Sequence, residues 1–351
     1  MRILALIMML GLTACVSHEP AGVTVLRYAS PYSPNHPFSK ADRAWMEWVN
    51  RRSQGRIQIK PYWSGSLLSS EQSMTELRHG VADIGLITPI YARGGAHLIR
   101  VQAGFYGGAT RFEQQTAIYR CLAEAEPEFQ KEMRGLRVLA VQGGNLPGII
   151  TRDRIVTTLD DLKGLRLRAP SELLEVLHDL GADPVDMPMG EVYSALAKGV
   201  LDGVVAPADT LKSLHFAEVA HYFNTIAIPR GGYPARAIGE RRWQTLREAD
   251  RQVLEDSTAI WEAALAHELA AANIAGAKFG RESGVVFSDI APNEQRRFEE
   301  IYARDGQARA HTLDRFGING VGVFEHAREV TKGIAERGVV ECKRSARGPA
   351  T

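Results

Sequence analysis

Residues 196–203 read Leu-Ala-Lys-Gly-Val-Leu-Asp-Gly, and residues 77–84 read Leu-Arg-His-Gly-Val-Ala-Asp-Ile, so the pattern Leu-x-x-Gly-Val-x-Asp occurs twice. In each copy an amphipathic segment ends at a glycine, the residue that most readily takes the left-handed conformation after a helix. A short apolar run then follows. The repeated helix-glycine-strand unit predicts two lobes of one plan with a cleft between them. Because both copies carry the aspartate, we interpret Asp83 and Asp202 as structural caps or turn formers.

Length and composition agree with two domains. The chain has 351 residues, whereas one domain typically has about 100 to 200. The 42 Lys and Arg residues nearly balance the 41 Asp and Glu residues, and the net charge of +1 gives no support to nucleic-acid binding. Helical and strand-like segments alternate, which predicts an α/β fold with mainly parallel strands.

The N-terminus has the pattern of an export signal. Arg2 precedes an apolar run that is too short to span a bilayer and that ends in Leu-Thr-Ala-Cys15. These four residues resemble a bacterial lipobox, in which cleavage precedes a cysteine that is then acylated. We therefore predict a lipoprotein signal peptide over 1–14, a lipid anchor on Cys15 and a tether over 15–22. A plain signal peptide cleaved near Ala14 is the alternative. Both readings place the mature protein outside the cytoplasm, and we predict a periplasmic location. In the lipoprotein reading the lipid anchor is the sole membrane contact.

Two further cysteines remain, Cys121 and Cys342. An oxidising compartment permits a disulfide between them, and two buried free thiols are equally compatible with the sequence. Their spacing fits no zinc pattern.

Two glycine-rich segments and one long helix divide the chain. Residues 143–148 and 229–232 are predicted to cross between the lobes. Residues 248–282 contain no proline and have a helical period, and a helix of that length, about 50 Å, should brace both lobes or break in two near Gly276. The expected limits are 24–145 and 231–270 for lobe I, 146–230 and 271–335 for lobe II, and 336–351 for a C-terminal tail.

The segment Leu165-Arg-Leu-Arg-Ala-Pro-Ser171 is the sharpest local signal for a binding site. Arg168 is expected at the C-terminal end of a strand, with Ser171 capping a helix that starts at Glu172. Open α/β sheets bind ligands at this position, and both the guanidinium and the free helix amides favour a carboxylate. The alternative is an arginine paired with a structural Asp or Glu.

Four segments resemble, in order and spacing, the signature of the solute-binding proteins of TRAP transporters, the tripartite ATP-independent periplasmic systems. The resemblance covers roughly residues 24 to 335. It implies a two-lobed periplasmic-binding-protein fold of the type II-like, Venus flytrap kind. It also implies a receptor that closes around an organic acid and delivers it to a membrane permease. The segments are residues 160–170, 180–184, 187–196 and 199–203.

The resemblance also assigns residues to the ligand site. The family's near-universal arginine, which clamps the ligand carboxylate, falls on Arg168. Gly148 lies near the position where sialic-acid-binding members carry a second arginine. The remaining expected pocket residues are Thr88, Ser171, Met189 and Ala206.

Departures from the family pattern narrow the expected ligand. Sialic-acid-binding members carry asparagine at the position of Ala206, so we expect no heavily hydroxylated sugar acid. Residues 204–206 are Val-Val-Ala, where members that bind a keto acid through a cation have acidic or amide ligands, so we expect no metal. The apolar pocket floor favours a monocarboxylate with an aliphatic or aromatic body.

Other function classes have little support in the sequence. The chain lacks Gly-x-Ser-x-Gly, His-Glu-x-x-His and Gly-Lys-Ser/Thr motifs, and we predict neither catalysis nor a cofactor. A two-lobed extracytoplasmic enzyme and a ligand sensor without transport remain as alternatives.

Overall fold

Two mixed β-sheets organise the chain. The computed structural model describes residues 22–342. The strands in this range are β1 (Thr24–Ala29), β2 (Ile57–Tyr62), β3 (Ile84–Leu86), β4 (Leu136–Gln142), β5 (Gly148–Thr151), β6 (Arg166–Arg168), β7 (Asp183–Val185), β8 (Gly203–Ala206), β9 (Tyr222–Asn224), β10 (Tyr233–Gly239) and β11 (Val286–Ser288).

In each sheet one strand is antiparallel to both of its neighbours. The first sheet has the order β2-β1-β3-β10-β4, with β10 antiparallel to both neighbours, and the second has the order β11-β9-β5-β8-β6-β7, with β5 antiparallel to both. Residues 143–147 connect β4 to β5, and residues 225–232 connect β9 to β10. The other strands run towards the cleft and end there. A strand that follows a crossing starts at the cleft, so it must run in the opposite direction. The expectation of mainly parallel strands therefore fails at these two strands.

Helices cover the sheets. No helix within residues 22–342 combines the length and apolarity that a membrane crossing requires. The α-helices are α1 (Pro37–Arg52), α2 (Ser73–Arg78), α3 (His97–Gln102), α4 (Phe112–Ala125), α5 (Pro127–Glu132), α6 (Leu174–Asp179), α7 (Met189–Ala197), α8 (Thr210–Ser213), α9 (Glu240–Thr245), α10 (Glu248–Glu282), α11 (Pro292–Thr312) and α12 (Gly320–Arg337).

The two copies of the repeat form the same local structure. Gly80 and Gly199 follow α2 and α7 with φ of 80° and 70°, in the left-handed region that favours glycine. The aspartate of each copy then accepts a hydrogen bond from the backbone N–H of an arginine on the neighbouring strand. Asp83 accepts from Arg27 N at 2.8 Å, and Asp202 accepts from Arg166 N at 2.7 Å. Both aspartates therefore have a structural role, but each joins two strands instead of capping a helix or forming a turn.

The long helix α10 is continuous and contacts both lobes, so the alternative of a break near Gly276 is wrong. In its first half the ring of Trp261 stacks on Trp45 of α1, with centroids 3.6 Å apart. In its second half Gly276 lies against the backbone that follows β8. A Cβ there would stand 2.4 Å from Ala208 O and 2.5 Å from Asp209 Cα. The absence of a side chain at residue 276 thus allows the helix to approach the second lobe.

The C-terminal part of the chain departs from the expected domain limits. Residues 271–335 were expected in lobe II, and Phe298 and Tyr302 of α11 do pack in a core cluster with strands of the second sheet. Apolar side chains from Ala310 to Ile334 instead belong to the core cluster of the first lobe. After α12, Cys342 forms a disulfide with Cys121 of α4, with 5.2 Å between the Cα atoms. Helix α12 and the beginning of the expected tail are therefore held on the first lobe.

The predicted export features lie outside the part of the chain that the structure describes. The predicted signal peptide over 1–14, Cys15 and nearly all of the tether fall outside the described residues, as do the last residues of the expected tail.

We predict that Gly276→Ala destabilises the protein. Replacing glycine by alanine inside a helix ordinarily stabilises it by about 0.5 to 1 kcal/mol. Here the new methyl group overlaps the Ala208 carbonyl, so we expect the free energy of unfolding to fall by about 1 to 3 kcal/mol. Denaturant unfolding measures the change. The control is Gly190→Ala in α7, where nothing lies within 4 Å of the added Cβ. Equal effects of the two substitutions would contradict the close approach.

We also predict that reducing the disulfide destabilises the mature protein, because the bond restricts the unfolded chain. The free energy of unfolding should fall by about 2 to 5 kcal/mol on reduction. The control variant Cys342→Ser should start at the lower value and should not respond to reductant. A wild-type protein that titrates with two free thiols would rule the disulfide out.

Candidate ligand-binding site

A cavity of about 100 Å³ lies in the cleft between the two sheets. Its walls come from the segments that follow the C-terminal ends of β1, β3, β6 and β8, from both crossings and from α10, so it lies where α/β sheets commonly bind ligands. The polar and charged side chains in its lining are Tyr32, His36, Thr88, Tyr91, Asn145, Arg168, Glu172, Asp209, Thr210, Arg230 and Tyr233.

Arg168 is the last residue of β6 and is only 2% exposed. Its Nε donates to Met187 O at 2.9 Å, and one terminal nitrogen donates to the Tyr91 hydroxyl at 2.6 Å. Among residues 22–342 no carboxylate forms an ion pair with it, so the structural pairing left open by the sequence is not found. A buried charge without a counter-ion is costly. The guanidinium therefore offers a site to an anion.

A second arginine, Arg230, also lines the cavity and was missed by the sequence reasoning. It lies in the second crossing, and its guanidinium covers Gly144 of the first crossing, where a Cβ would stand 2.5 Å from Cζ. Burial raises the pKa of Tyr233, and the nearby charge of Arg230 opposes that effect. The sequence contained enough information to predict this residue. A segment that crosses between lobes borders the cleft, and Arg230 is the only charged residue of this crossing.

Two buried acids face the arginines. Burial raises the pKa of Asp209 to about 6, against a hydrogen bond from Asn145 and the charge of Arg230. Burial also raises the pKa of Glu172, against a hydrogen bond from its own backbone N–H and the charges of Arg309, Arg230 and Arg168. Both acids line the cavity.

The asparagine of the first crossing ties three parts of the molecule together. The side-chain amide of Asn145 donates to Asp209 Oδ1 at 3.1 Å and to Leu269 O of α10 at 2.9 Å. A crossing, the second lobe and the long helix thus meet at one residue of the cavity wall.

Thr88, Met189 and Arg168 line the cavity, as the resemblance implied. The Thr88 hydroxyl is already engaged, since it donates to Ser70 O. Met189 begins α7.

Ser171, Ala206 and Gly148 lie outside the lining, contrary to expectation. Side chains alternate along a strand, so Ala206 faces a core cluster, and its neighbour Val205 reaches the cavity instead. Residue 148 has no room for a side chain, because a Cβ there would stand 2.3 Å from Asn224 O.

Ser171 also fails as a helix cap. Its hydroxyl is buried without a hydrogen-bond partner, in a short 3₁₀ turn that precedes α6 (Leu174–Asp179) and is preceded by Pro170. Within residues 22–342 no cluster of three or more His, Cys, Asp or Glu side chains is suited to a metal ion.

Two lobes around a cavity, with a buried arginine in its wall that forms no ion pair within residues 22–342, define the class of two-lobed solute-binding receptors. The family model described as bacterial extracellular solute-binding protein, family 7, matches residues 28–309. The chain belongs to this family, which comprises the solute-binding proteins of TRAP transporters.

Curated relatives are identical to this chain at about a quarter of the matched residues. A solute-binding protein of Chromohalobacter salexigens is 25% identical over 66% of this chain and 71% of its own length. The ectoine-binding periplasmic protein TeaA of Halomonas elongata is 22% identical over 87% of this chain and 94% of its own length. Two other curated relatives match over only 52% and 60% of their own lengths.

Solved structures share the fold. A TRAP solute-binding protein of Rhodoferax ferrireducens, in complex with copurified benzoate, superposes with a TM-score of 0.82 at 23% identity, covering 90% of this chain and all of that one. A marine metagenome protein specific for aromatic acid ligands, bound to 3-hydroxybenzoate, gives a TM-score of 0.79 at 20% identity, covering 88% of this chain and 98% of the other. The two-lobed periplasmic-binding-protein fold is thereby confirmed.

We predict that Asp209→Asn stabilises the ligand-free protein in a pH-dependent way. Because the pKa of Asp209 is raised from its ordinary 3.8 to about 6, the folded state binds more protons than the unfolded state between these values. The wild-type protein therefore loses stability as the pH rises through this window. Asparagine still accepts the hydrogen bond from Asn145 but never ionises.

The gain from Asp209→Asn should accordingly be small at pH 4.5 and reach at most about 3 kcal/mol at pH 7.5, at about 1.4 kcal/mol per pKa unit. Urea unfolding at several pH values measures it, with Asp153→Asn as the control, because Asp153 is an exposed acid of the same lobe. A gain independent of pH would contradict the prediction.

Proposed function

We propose that this protein is the periplasmic receptor of a TRAP transporter, which captures a monocarboxylate with an apolar body and delivers it to a membrane permease. The observation that carries the proposal is Arg168, buried in the cavity wall without a carboxylate partner among the described residues. A ligand carboxylate supplies the missing negative charge and can accept hydrogen bonds from the guanidinium.

The remaining walls suit an apolar body of modest size. A cavity of about 150 Å³ is enough to hold a benzene molecule, and the present cavity, at about 100 Å³, is of that order. Benzoate and 3-hydroxybenzoate bound to similar proteins are ligands of this kind. The apolar lining includes Phe38, Ile90, Pro147, Leu173, Val205 and Leu269.

Binding would work by closure of the two lobes. Arg168 belongs to the second lobe and Tyr91 to the first, so their hydrogen bond at 2.6 Å exists only when the lobes are together. A ligand that contacts both sides shifts the equilibrium towards the closed form. The closed form would then be the one presented to the permease.

The proposal includes export and attachment. The N-terminal pattern supports a signal peptide and a lipid anchor on Cys15, which would hold the receptor at a membrane in the periplasm. The alternatives differ in what happens after capture. An enzyme would convert the bound acid, so incubation of the purified protein with the acid followed by mass spectrometry should recover it unchanged. A sensor would bind the acid without supporting its uptake.

We predict that Arg168→Ala weakens the binding of the tightest acid found in a thermal-shift panel. Removing one partner of a buried charge pair costs about 2 to 5 kcal/mol, or roughly 30-fold to several thousand-fold in Kd at about 1.4 kcal/mol per tenfold. Isothermal titration calorimetry measures the change.

The matched control is Arg166→Ala, two residues earlier on β6, where the side chain is half exposed and pairs with Asp183 at 3.6 Å. We expect its Kd to stay within about threefold of the wild-type value, as for weak surface ion pairs. A Kd that is unchanged in Arg168→Ala would refute the proposed site.

A further inference from the structure

The cavity has a second polar end, formed by Asn145, Glu172, Asp209, Arg230 and Tyr233 and called here the Arg230 end. We propose that the Arg230 end binds a neutral hydrogen-bonding substituent, a hydroxyl above all, so that the ligand is a hydroxylated monocarboxylic acid. This inference rests on the proposed function, which assigns the ligand carboxylate to Arg168.

Tyr233 supplies a hydrogen-bond donor whose direction can be worked out. Arg236 has donors only, and one of its terminal nitrogens donates to Gln142 Oε1. This contact fixes the amide orientation, so Gln142 Nε2 donates to the Tyr233 hydroxyl, at 2.7 Å. The phenol oxygen accepts this bond, and its own proton remains for a ligand in the cavity that Tyr233 lines.

Arg230 supplies further donors. Its side chain is half-buried, and it forms no ion pair with a carboxylate among the described residues, although Glu172 and Asp209 lie near enough to feel its charge. The guanidinium lies against Gly144, where an added Cβ would stand 2.5 Å from Cζ. A guanidinium has five N–H groups that can donate to a ligand.

Glu172 supplies an unsatisfied acceptor. The residue is 8% exposed and lines the cavity, and its Oε2 atom has no hydrogen-bond partner in the described part of the chain. Buried polar atoms without a partner are rare and call for an explanation. A ligand hydroxyl can satisfy this oxygen while it accepts a hydrogen bond from Arg230 or Tyr233, because a hydroxyl both donates and accepts.

The same side chains disfavour a second carboxylate. Glu172 and Asp209 both interact electrostatically with Arg230, so two acidic side chains already lie near this end of the cavity. A dicarboxylate would bring a further negative charge against them, and like charges placed together oppose binding. At the Arg168 end the guanidinium donates hydrogen bonds to two neutral groups, Tyr91 and Met187 O, and Glu172 and Asp186 lie near enough to feel its charge.

The test compares matched acids on the mature protein. One series is benzoate, its three monohydroxy isomers, isophthalate and terephthalate, and the other is 4-methylpentanoate, its 2-hydroxy derivative and glutarate. In the series that binds, we expect one hydroxylated acid to bind at least about tenfold more tightly than its parent, as expected for a hydrogen bond to a charged group. The dicarboxylates should bind more weakly than that acid.

Variants then assign the preference to the Arg230 end. Arg230→Met and Arg230→Gln should each reduce the ratio of parent Kd to hydroxyl-acid Kd towards one. Arg296→Met, at an exposed arginine of α11, should keep the wild-type ratio. Urea unfolding of each ligand-free variant shows whether it is folded. If the Arg230 variants do not fold, Tyr233→Phe, which removes the donor alone, should lower the ratio in the same way.

The outcomes separate the two proposals. Binding of acids without any preference for the hydroxylated member, tighter binding of a dicarboxylate, or a preference retained without Arg230 and Tyr233 would overturn this inference and leave the proposed function standing. Failure of every acid, including a wider organic-acid panel, to stabilise the wild-type protein would overturn both.

Discussion

The buried ion pair between Arg236 and Asp42 is the interaction on which the first lobe and the cavity wall depend. Both side chains are fully buried, with Nε and Oδ1 3.0 Å apart. Burial lowers the pKa of Arg236, but the charge of Asp42 opposes this effect. Overall the pKa is raised. A pair in this position is tolerated only when its remaining hydrogen-bonding groups are satisfied. Asp42 meets that condition by accepting from Trp261 Nε1 at 2.8 Å and from the Tyr28 hydroxyl, whereas one terminal nitrogen of Arg236 has no hydrogen-bond partner among residues 22–342.

These contacts join four elements at one carboxylate. Asp42 lies in α1, Tyr28 in β1, Arg236 in β10 and Trp261 in α10, and the same arginine holds Gln142, which in turn positions the Tyr233 hydroxyl. An unbroken hydrogen-bonded chain thus runs from the core of the lobe to the ligand cavity. The site inherits its rigidity from this chain, because strands and packed helices position side chains more accurately than free loops do.

The features that could be predicted from the sequence depend on residues that lie close together in the chain. The repeated glycine and aspartate act on backbone groups close to them, through a left-handed glycine and an N–H of the adjacent strand, so their roles follow from spacing. Arg168 at the end of β6 was predictable for the same reason. Neighbouring residues of a strand face opposite sides of the sheet, so an error of one residue placed Ala206 in the cavity instead of Val205. The packing of α12 on the first lobe depends on contacts across the whole chain, which no local pattern encodes.

The distribution of charge explains why this cavity requires both lobes. In the second lobe Arg168 is buried and forms no ion pair within residues 22–342, and its guanidinium donates a hydrogen bond to Tyr91 of the first lobe. Glu172 and Asp186 lie near enough to feel its charge, and Glu172 and Asp209 lie near enough to feel the charge of Arg230 in the second crossing. Neither arginine forms an ion pair among residues 22–342, but Arg168 is almost fully buried whereas Arg230 is half-buried. Since unpaired buried charge is costly, the closed form is stabilised when a ligand brings one negative charge to the Arg168 end, and a ligand without that charge leaves the cost in place.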